Sequence, residues 1–396
     1  MLSRSFACPA PQPAKWHASD RSSAALLPAP GLVGSLQPRV PVHAIFNRCG
    51  IPRMNPEHFP TVAIVGAGLS GMACARVLQD AGVNVRLFDK SRSPGGRLAT
   101  RRTDHGSFDH GAQYFTARDP RFQPIVQHWQ ERGIVASWTP ALVAIELVDG
   151  VPVRSPVGDG TVRHVGVPSM NRIATAMAEG LAVHADCTVD SARRSADAGH
   201  RWMLTGTDHR GEPVAIDDTF DWLVAAMPSP QAARLLADVE TMQAQATALP
   251  MVPCWAVLAS FSAPLATDFD AAFVNASALT WIARNNAKPG RDPRPECWVL
   301  HAARDWSEHA LEATPEAVCA RMLAEFRRVT GCDDQPLTAR AHRWRYSGPG
   351  ARSGEPCLFD AESRTGACGD WLAGSRVEGA FLSGLSLGER ILAAVR

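Results

Sequence analysis

The chain has 396 residues, 45% of them hydrophobic and 20% charged, with a formal net charge of +1 at pH 7. That length is too great for one hydrophobic core and suits two domains, and so small a charge gives no electrostatic reason to expect nucleic acid or an anionic membrane as partner. No apolar run approaches the roughly eighteen to twenty residues that cross a bilayer. The ten cysteines form no C-x-x-C pair and fit no zinc spacing, which points to reduced thiols in a cytoplasmic protein.

Residues 1–57 are rich in proline, poor in acids and without a sustained hydrophobic period, so a disordered N-terminal extension is expected. Three readings stand for it: a transit peptide, a flexible tail, or an upstream stretch preceding a true start at Met54, which is favoured.

Val62–Val65 is a short apolar run that reads as a buried strand. Gly66, Gly68 and Gly71 then fit G-x-G-x-x-G, and Met72 to Leu78 reads as the following helix. The first glycine allows the tight turn, the second lets a pyrophosphate approach the backbone, and the third lets the helix pack close to the strand. A helix N-terminus also directs free N–H groups at phosphates. A second apolar run, Val83 to Phe88, ends in Asp89, eighteen residues after Gly71, where a carboxylate can accept hydrogen bonds from a ribose diol. Together these predict a dinucleotide site.

Lys90 to Arg97 carries Pro94, Gly95 and Gly96 and reads as a loop, with Arg97 in reach of a phosphate or flavin edge. Phe108 to Thr116 mixes small and aromatic residues and reads as strand or turn. His105 and His110 fall in two Asp-His-Gly triplets but lack a third nearby ligand, so no metal site is expected. Helices are expected at Phe122–Arg132, Pro168–Glu179 and from Gln231, and strands at Ala141–Val148, Leu181–Val189, Trp202–Leu204 and Phe220–Ala226. Met227 to Pro230 reads as a stop and turn. Residues 250–345 hold tryptophan-rich strands and one strong helix, Pro315–Val329. The chain closes with a glycine-rich loop, Ala367 to Trp371, and a helix from about Gly379 to Val395. No internal repeat and no second fingerprint occur.

Several of these segments, taken in order, resemble bacterial renalases. They are Gly66 to Gly71, Phe88-Asp89-Lys90, Gly95-Gly96-Arg97, Gly111 to Thr116, Trp281 to Asn285, Trp298 to His301, Cys368 to Trp371 and Arg376 to Ala380. The resemblance covers about residues 60–395, and its opening motifs are shared with amine oxidases. It implies an α/β fold like that of p-hydroxybenzoate hydroxylase, with a Rossmann-type FAD-binding domain (58–118, 163–228 and 340–396) interleaved with a mixed-sheet substrate domain (119–162 and 229–339). It implies non-covalent FAD, cradled by Gly66, Gly68 and Gly71. Asp89 would hold the adenosine ribose, and Arg97 would meet the phosphates. Gly111, Ala112, Gln113 and Tyr114 would lie along the flavin, and Val189 would face adenine. Asp370 would reach the ribityl or pyrophosphate region, and Glu378, Gly379 and Ala380 would open a helix whose dipole favours reduced flavin.

The implied reaction is oxidation of the 2- and 6-dihydronicotinamide isomers of NAD(P)H to NAD(P)+, hydride passing to the flavin and then to O2, giving hydrogen peroxide. His301, Asn285, Trp281 and Trp371 would orient the carboxamide and ring. The rival enzyme reading is a flavin amine oxidase, disfavoured by the scarcity of tyrosine and by the loop setting of Lys288. A non-catalytic dinucleotide-binding protein is the alternative outside enzymology.

Overall fold

The computed structural model describes residues 60–195, 201–351 and 353–395. The expected N-terminal extension, with Met54, lies outside the described residues.

Two large sheets alternate along the chain. The first has six strands in the order Leu358–Asp360, Thr365–Ala367, Trp222–Ala225, Thr61–Val65, Asn84–Phe88, Ala182–His184. Thr61–Val65 is central and runs parallel to both neighbours. Both of its faces are covered, which explains why Val62, Ala63 and Ile64 are wholly buried and read as an unbroken apolar run. The helix Leu69–Asp80 follows, with every residue from Leu69 to Leu78 buried. Such all-round burial requires cover on several sides. The helices Asn171–Ala178 and Val377–Ala394 supply it. Gly384 of the final helix lies so close that a Cβ there would fall 1.9 Å from the Ser70 carbonyl oxygen.

The second sheet has seven strands, in the order Thr338–Pro349, Met251–Phe261, Glu296–Ala302, Leu279–Arg284, Ala271–Asn275, Leu142–Val148, Val151–Pro156. Its pairings are antiparallel except for Ala271–Asn275 beside Leu142–Val148, so the sheet is mixed. The helix Pro315–Thr330 packs on it through Val318, Met322, Phe326 and Val329. Thr314 caps that helix by accepting from the Ala317 N–H, and Gly331 ends it at φ 76°.

Local readings fail where backbone groups find distant partners. The expected strand Leu181–Val189 is two strands, Ala182–His184 and Thr188–Arg194, in different sheets. Asp186 breaks the run at φ 56°, a conformation Asp tolerates better than most residues. The helix expected from Pro168 begins at Asn171. Just before it, the Met170 N–H donates to Asp109 Oδ1 at 3.0 Å. Ser229 and Pro230, expected to be part of a turn, open the helix Ser229–Leu235, because proline fits a first helical turn. The short helices Glu240–Thr247 and Arg304–His309 had no clear periodic signal.

Candidate cofactor and substrate cleft

A cleft of about 1400 Å³ draws its walls from both sheets. Typical small-ligand pockets span about 300–1,000 Å³, so this one has room for a long cofactor together with a substrate. Gly66, Gly68, Asp89, Arg97, Gly111, Ala112, Gln113, Tyr114, Val189, Trp281, His301, Asp370 and Ala380 all line it.

The nucleotide end is built by the turn after Thr61–Val65. Gly66 adopts φ 111°, and a Cβ on it would strike the Ala226 carbonyl oxygen at 2.3 Å. Gly71 stands behind the wall, where a Cβ would lie 2.1 Å from the Gly66 oxygen. At Gly68 a Cβ would meet nothing within 4 Å. Gly68 lines the cleft, so its missing side chain leaves the backbone open to a ligand. No side chain caps the helix that follows, which leaves its first-turn N–H groups free for an anion. Asp89 accepts from Ala67 N at 2.7 Å and Ser91 N at 2.8 Å. Val189 borders a bulge, where pairing with the next strand slips by one residue. These features fit the dinucleotide portion of FAD.

The middle of the cleft joins glycine loops far apart in sequence. Arg97 donates to both Asp370 oxygens, at 2.8 and 2.7 Å, and to the Ser347 carbonyl. Gly111 packs on the Arg97 carbonyl, where a Cβ would sit 2.0 Å away. Glu378 and Gly379 stand behind this wall rather than in it. Glu378 Oε1 accepts from the N–H groups of Arg118 and Asp119, at 2.6 and 2.7 Å, and so pins that loop to the final helix. Gly379 is needed because a Cβ would meet the Gly374 oxygen at 2.1 Å.

The far end is aromatic. Tyr114 and Trp281 approach with ring centroids 5.4 Å apart, and Phe273 and Trp281 at 4.9 Å. Trp281 and His301 are partners in the strand register. The indole Nε1 of Trp281 is buried without a hydrogen-bond partner, a donor that a ligand carbonyl could satisfy. His301 Nε2 lies 3.1 Å from the His110 carbonyl oxygen. A carbonyl only accepts, so Nε2 carries the proton and Nδ1 is left as an acceptor. Burial pushes His301 down to about 4, against the partial opposing effect of that carbonyl. Two further histidines extend the cluster. The His110 and His342 rings meet edge to face at 4.7 Å, and Trp344 Nε1 also donates to the His110 oxygen. Burial likewise holds His110 and His342 at about 4, helped in both by Arg101 and, for His110, by repulsion from His342.

Two residues expected at the substrate ring are corrected. Trp371 is 1% exposed, outside the cleft wall, and donates through Nε1 to the Met227 carbonyl. Asn285 is 2% exposed, donates to the Ser107 carbonyl and accepts from Lys288 Nζ at 3.1 Å. Both therefore support the wall rather than touch a ligand. Lys288, in the expected loop, is itself fully buried. Its Nζ reaches Asp109 at 3.3 Å and Gln113 Oε1 at 3.2 Å, one residue behind the cleft. Arg291 approaches the same Asp109 oxygen at 2.6 Å. Despite its own burial, these two cations hold Asp109 down at about 2, while burial pushes Lys288 down to about 8. The pair is worth more to the carboxylate, which has two cations, than to the lysine, and Lys288 stays charged at neutral pH. The sequence reading set His110 aside as part of a chance triplet and Lys288 as a loop residue, and it gave His342 no role. The only available signal was the density of histidine and tryptophan across 298–344.

The histidine cluster gives a pH prediction. An unfolded histidine titrates near 6.5, whereas these three titrate at about 4 in the folded chain. Between those values the unfolded state binds more protons, so stability falls as pH drops from about 6.5 to 4 and is fully present above that window. The melting temperature is expected to decline across it. His342→Gln should flatten the decline, removing one titrating group and the repulsion it exerts on His110. An unaltered slope in that variant would count against the assignment.

Residues 64–129 match a family described as an NAD(P)-binding Rossmann-like domain, and residues 157–392, more than half the chain, match one described as flavin containing amine oxidoreductase. An L-glutamate oxidase precursor of Streptomyces diastatochromogenes is 39% identical over 82 residues, 19% of this chain and 12% of that protein. An L-amino-acid oxidase of Bothrops pauloensis is 48% identical over 50 residues, 13% of this chain and 9% of that protein. The chain thus spans only a small part of the length of these curated relatives. A redesigned putrescine oxidase superposes with a TM-score of 0.62 at 14% identity, covering 84% of this chain and 100% of its own. At that identity the likeness speaks for the fold.

Proposed function

This chain belongs to the flavin containing amine oxidoreductase family, with FAD as its cofactor, and from that premise we propose that it is an oxidase of the 2- and 6-dihydronicotinamide isomers of NAD(P)H. The reading rests on the renalase resemblance and is supported by one observation, the charge of the cleft wall. Among the described residues, eight arginines and Lys90 line the cleft against three aspartates, Asp89, Asp190 and Asp370. Asp89 accepts from backbone N–H groups, and Asp370 is neutralised by Arg97. Among the described residues, no carboxylate lines the aromatic end, where a cationic amine would need one. A neutral dihydropyridine on an anionic dinucleotide suits such a wall.

Bound FAD supplies the hydride acceptor, and O2 then accepts the electrons to give hydrogen peroxide. The chain's own residues bind and orient. Tyr114, Phe273 and Trp281 offer an aromatic surface for the ring. His301 is neutral above about pH 4, and its unprotonated Nδ1 can accept from a carboxamide N–H. No strong acid or base is required, because the dihydropyridine becomes aromatic as it loses hydride. Position is what the site must provide, and a displacement of about 1 Å can cost on the order of a hundredfold.

Protein carrying releasable FAD should be bleached rapidly under anaerobic conditions by the 2- and 6-dihydro isomers, with colour and peroxide returning on exposure to oxygen. Ordinary 4-dihydro NAD(P)H is expected to react about a hundredfold more slowly. His301→Ala should slow the isomers by about tenfold, the worth of one hydrogen bond to substrate, with FAD still bound. Rapid bleaching by simple amines alone would favour amine oxidation, the reading closest to the family description. No bleaching by either class would favour a non-catalytic dinucleotide-binding protein.

A further inference from the structure

A second cavity, of about 490 Å³, opens beside the aromatic end of the cleft and shares Arg101 and His342 with it. Leu258, Cys319, Ala339 and Ala341 are among its lining residues. Its volume lies within the range of small-ligand sites. Among the described residues, its charged lining is two arginines, Arg101 and Arg340, against one glutamate, Glu316. Both arginines are exposed, and neither forms an ion pair among the described residues. His342 is neutral at physiological pH and does not alter that balance. Arg101 sits on the short strand Thr100–Thr103, one turn before His110, whose ring is stacked edge to face on His342. His342 and Arg101, the latter without an ion pair among the described residues, form the threshold that the two cavities share.

We propose that this second cavity is a distal subsite for the phosphate-bearing adenosine half of a dinucleotide substrate, with Arg101 holding the phosphates at the threshold. The proposal rests on the dinucleotide reading of the main cleft. It answers a spatial question which that reading raises: with FAD in the cleft and the nicotinamide ring at the aromatic end, the cavity that adjoins that end at His342 offers space for the remaining half of the substrate. A guanidinium makes paired, charge-assisted hydrogen bonds to phosphate oxygens. The small apolar residues leave space for a nucleoside, and Arg340 adds positive charge farther in.

The test uses the FAD-loaded protein, so that the cofactor site is filled. ADP-ribose, which carries the phosphates and adenosine but no nicotinamide ring, is titrated by calorimetry and tested as a competitor of the dinucleotide isomers. It should bind, and Arg101→Ala should weaken it by about tenfold, the scale of a lost charge-assisted contact. Arg340→Glu should weaken it several-fold. In turnover, Arg101→Ala should lower kcat/KM for the dinucleotide isomers by about tenfold relative to the matching nicotinamide riboside isomers. Absence of ADP-ribose binding, equal binding by all three proteins, or equal losses with dinucleotide and riboside would overturn the subsite. Failure of every dihydronicotinamide isomer to bleach the flavin, with Arg101-dependent ADP-ribose binding intact, would instead overturn the reaction and leave the subsite standing.

Discussion

Asp109→Ala is expected to cost about 3–5 kcal/mol, the penalty for leaving a buried charge uncompensated. Asp109 is wholly buried, with the side chains of Lys288 and Arg291 at 0% and 3% exposure beside it. One carboxylate oxygen takes both cations. The other accepts from Thr100 Oγ1 at 2.7 Å and Met170 N at 3.0 Å. Alanine would strip four contacts and leave two cations without a counter-ion. Lys288→Met should cost much less, because it removes a charge that burial already disfavours and leaves the Asp109–Arg291 pair intact. Shifts of the urea midpoint at constant slope give the comparison. Equal losses in the two variants would mean that the cluster is not held by its single carboxylate. Gln113 offers a second readout, since its side chain bonds both the Asp109 carbonyl and Lys288 Nζ. Losing Asp109 should therefore also disturb the flavin absorbance of the bound cofactor.

Gly384→Ala is expected to damage fold and cofactor binding together, whereas Gly68→Ala should damage binding alone. The methyl at position 384 would be forced to 1.9 Å from the Ser70 carbonyl, a backbone atom that cannot swing aside. The final helix would have to move off Leu69–Asp80, at an overpacking cost of about 1–3 kcal/mol or more. The turn that follows Thr61–Val65 would move with it. At Gly68 the backbone has φ −75°, which alanine adopts freely, and the methyl meets no protein atom within 4 Å. It would project into the space expected for the pyrophosphate. The FAD-free Gly68→Ala protein should melt with the FAD-free wild type while binding FAD at least tenfold more weakly. Unimpaired FAD binding by Gly68→Ala would place the phosphates elsewhere, and an unshifted melting temperature for Gly384→Ala would deny the tight helix contact.

What the sequence determined by itself was local and periodic. The apolar run Val62–Val65, three glycines at fixed offsets and Asp89 at the end of the next strand announced a βαβ unit, because each works through its own backbone or its near neighbours. The helix Pro315–Thr330 was legible for the same reason, its apolar stripe lying within one segment, to which the structure adds a threonine cap and a terminal glycine. Tertiary structure decided what depended on partners far along the chain. Asp109 meets Lys288 and Arg291 across 179 and 182 residues, and Arg97 meets Asp370 across 273. Leu181–Val189 reads as one strand until its halves are claimed by different sheets. Trp371 and Asn285 look like ligand contacts until their neighbours bury them. Composition and spacing encode which faces are apolar and where the backbone can turn. They do not encode which distant carboxylate neutralises a buried lysine, or which tryptophan is covered. Those outcomes follow from desolvation and close packing, which exist only once the chain has closed on itself.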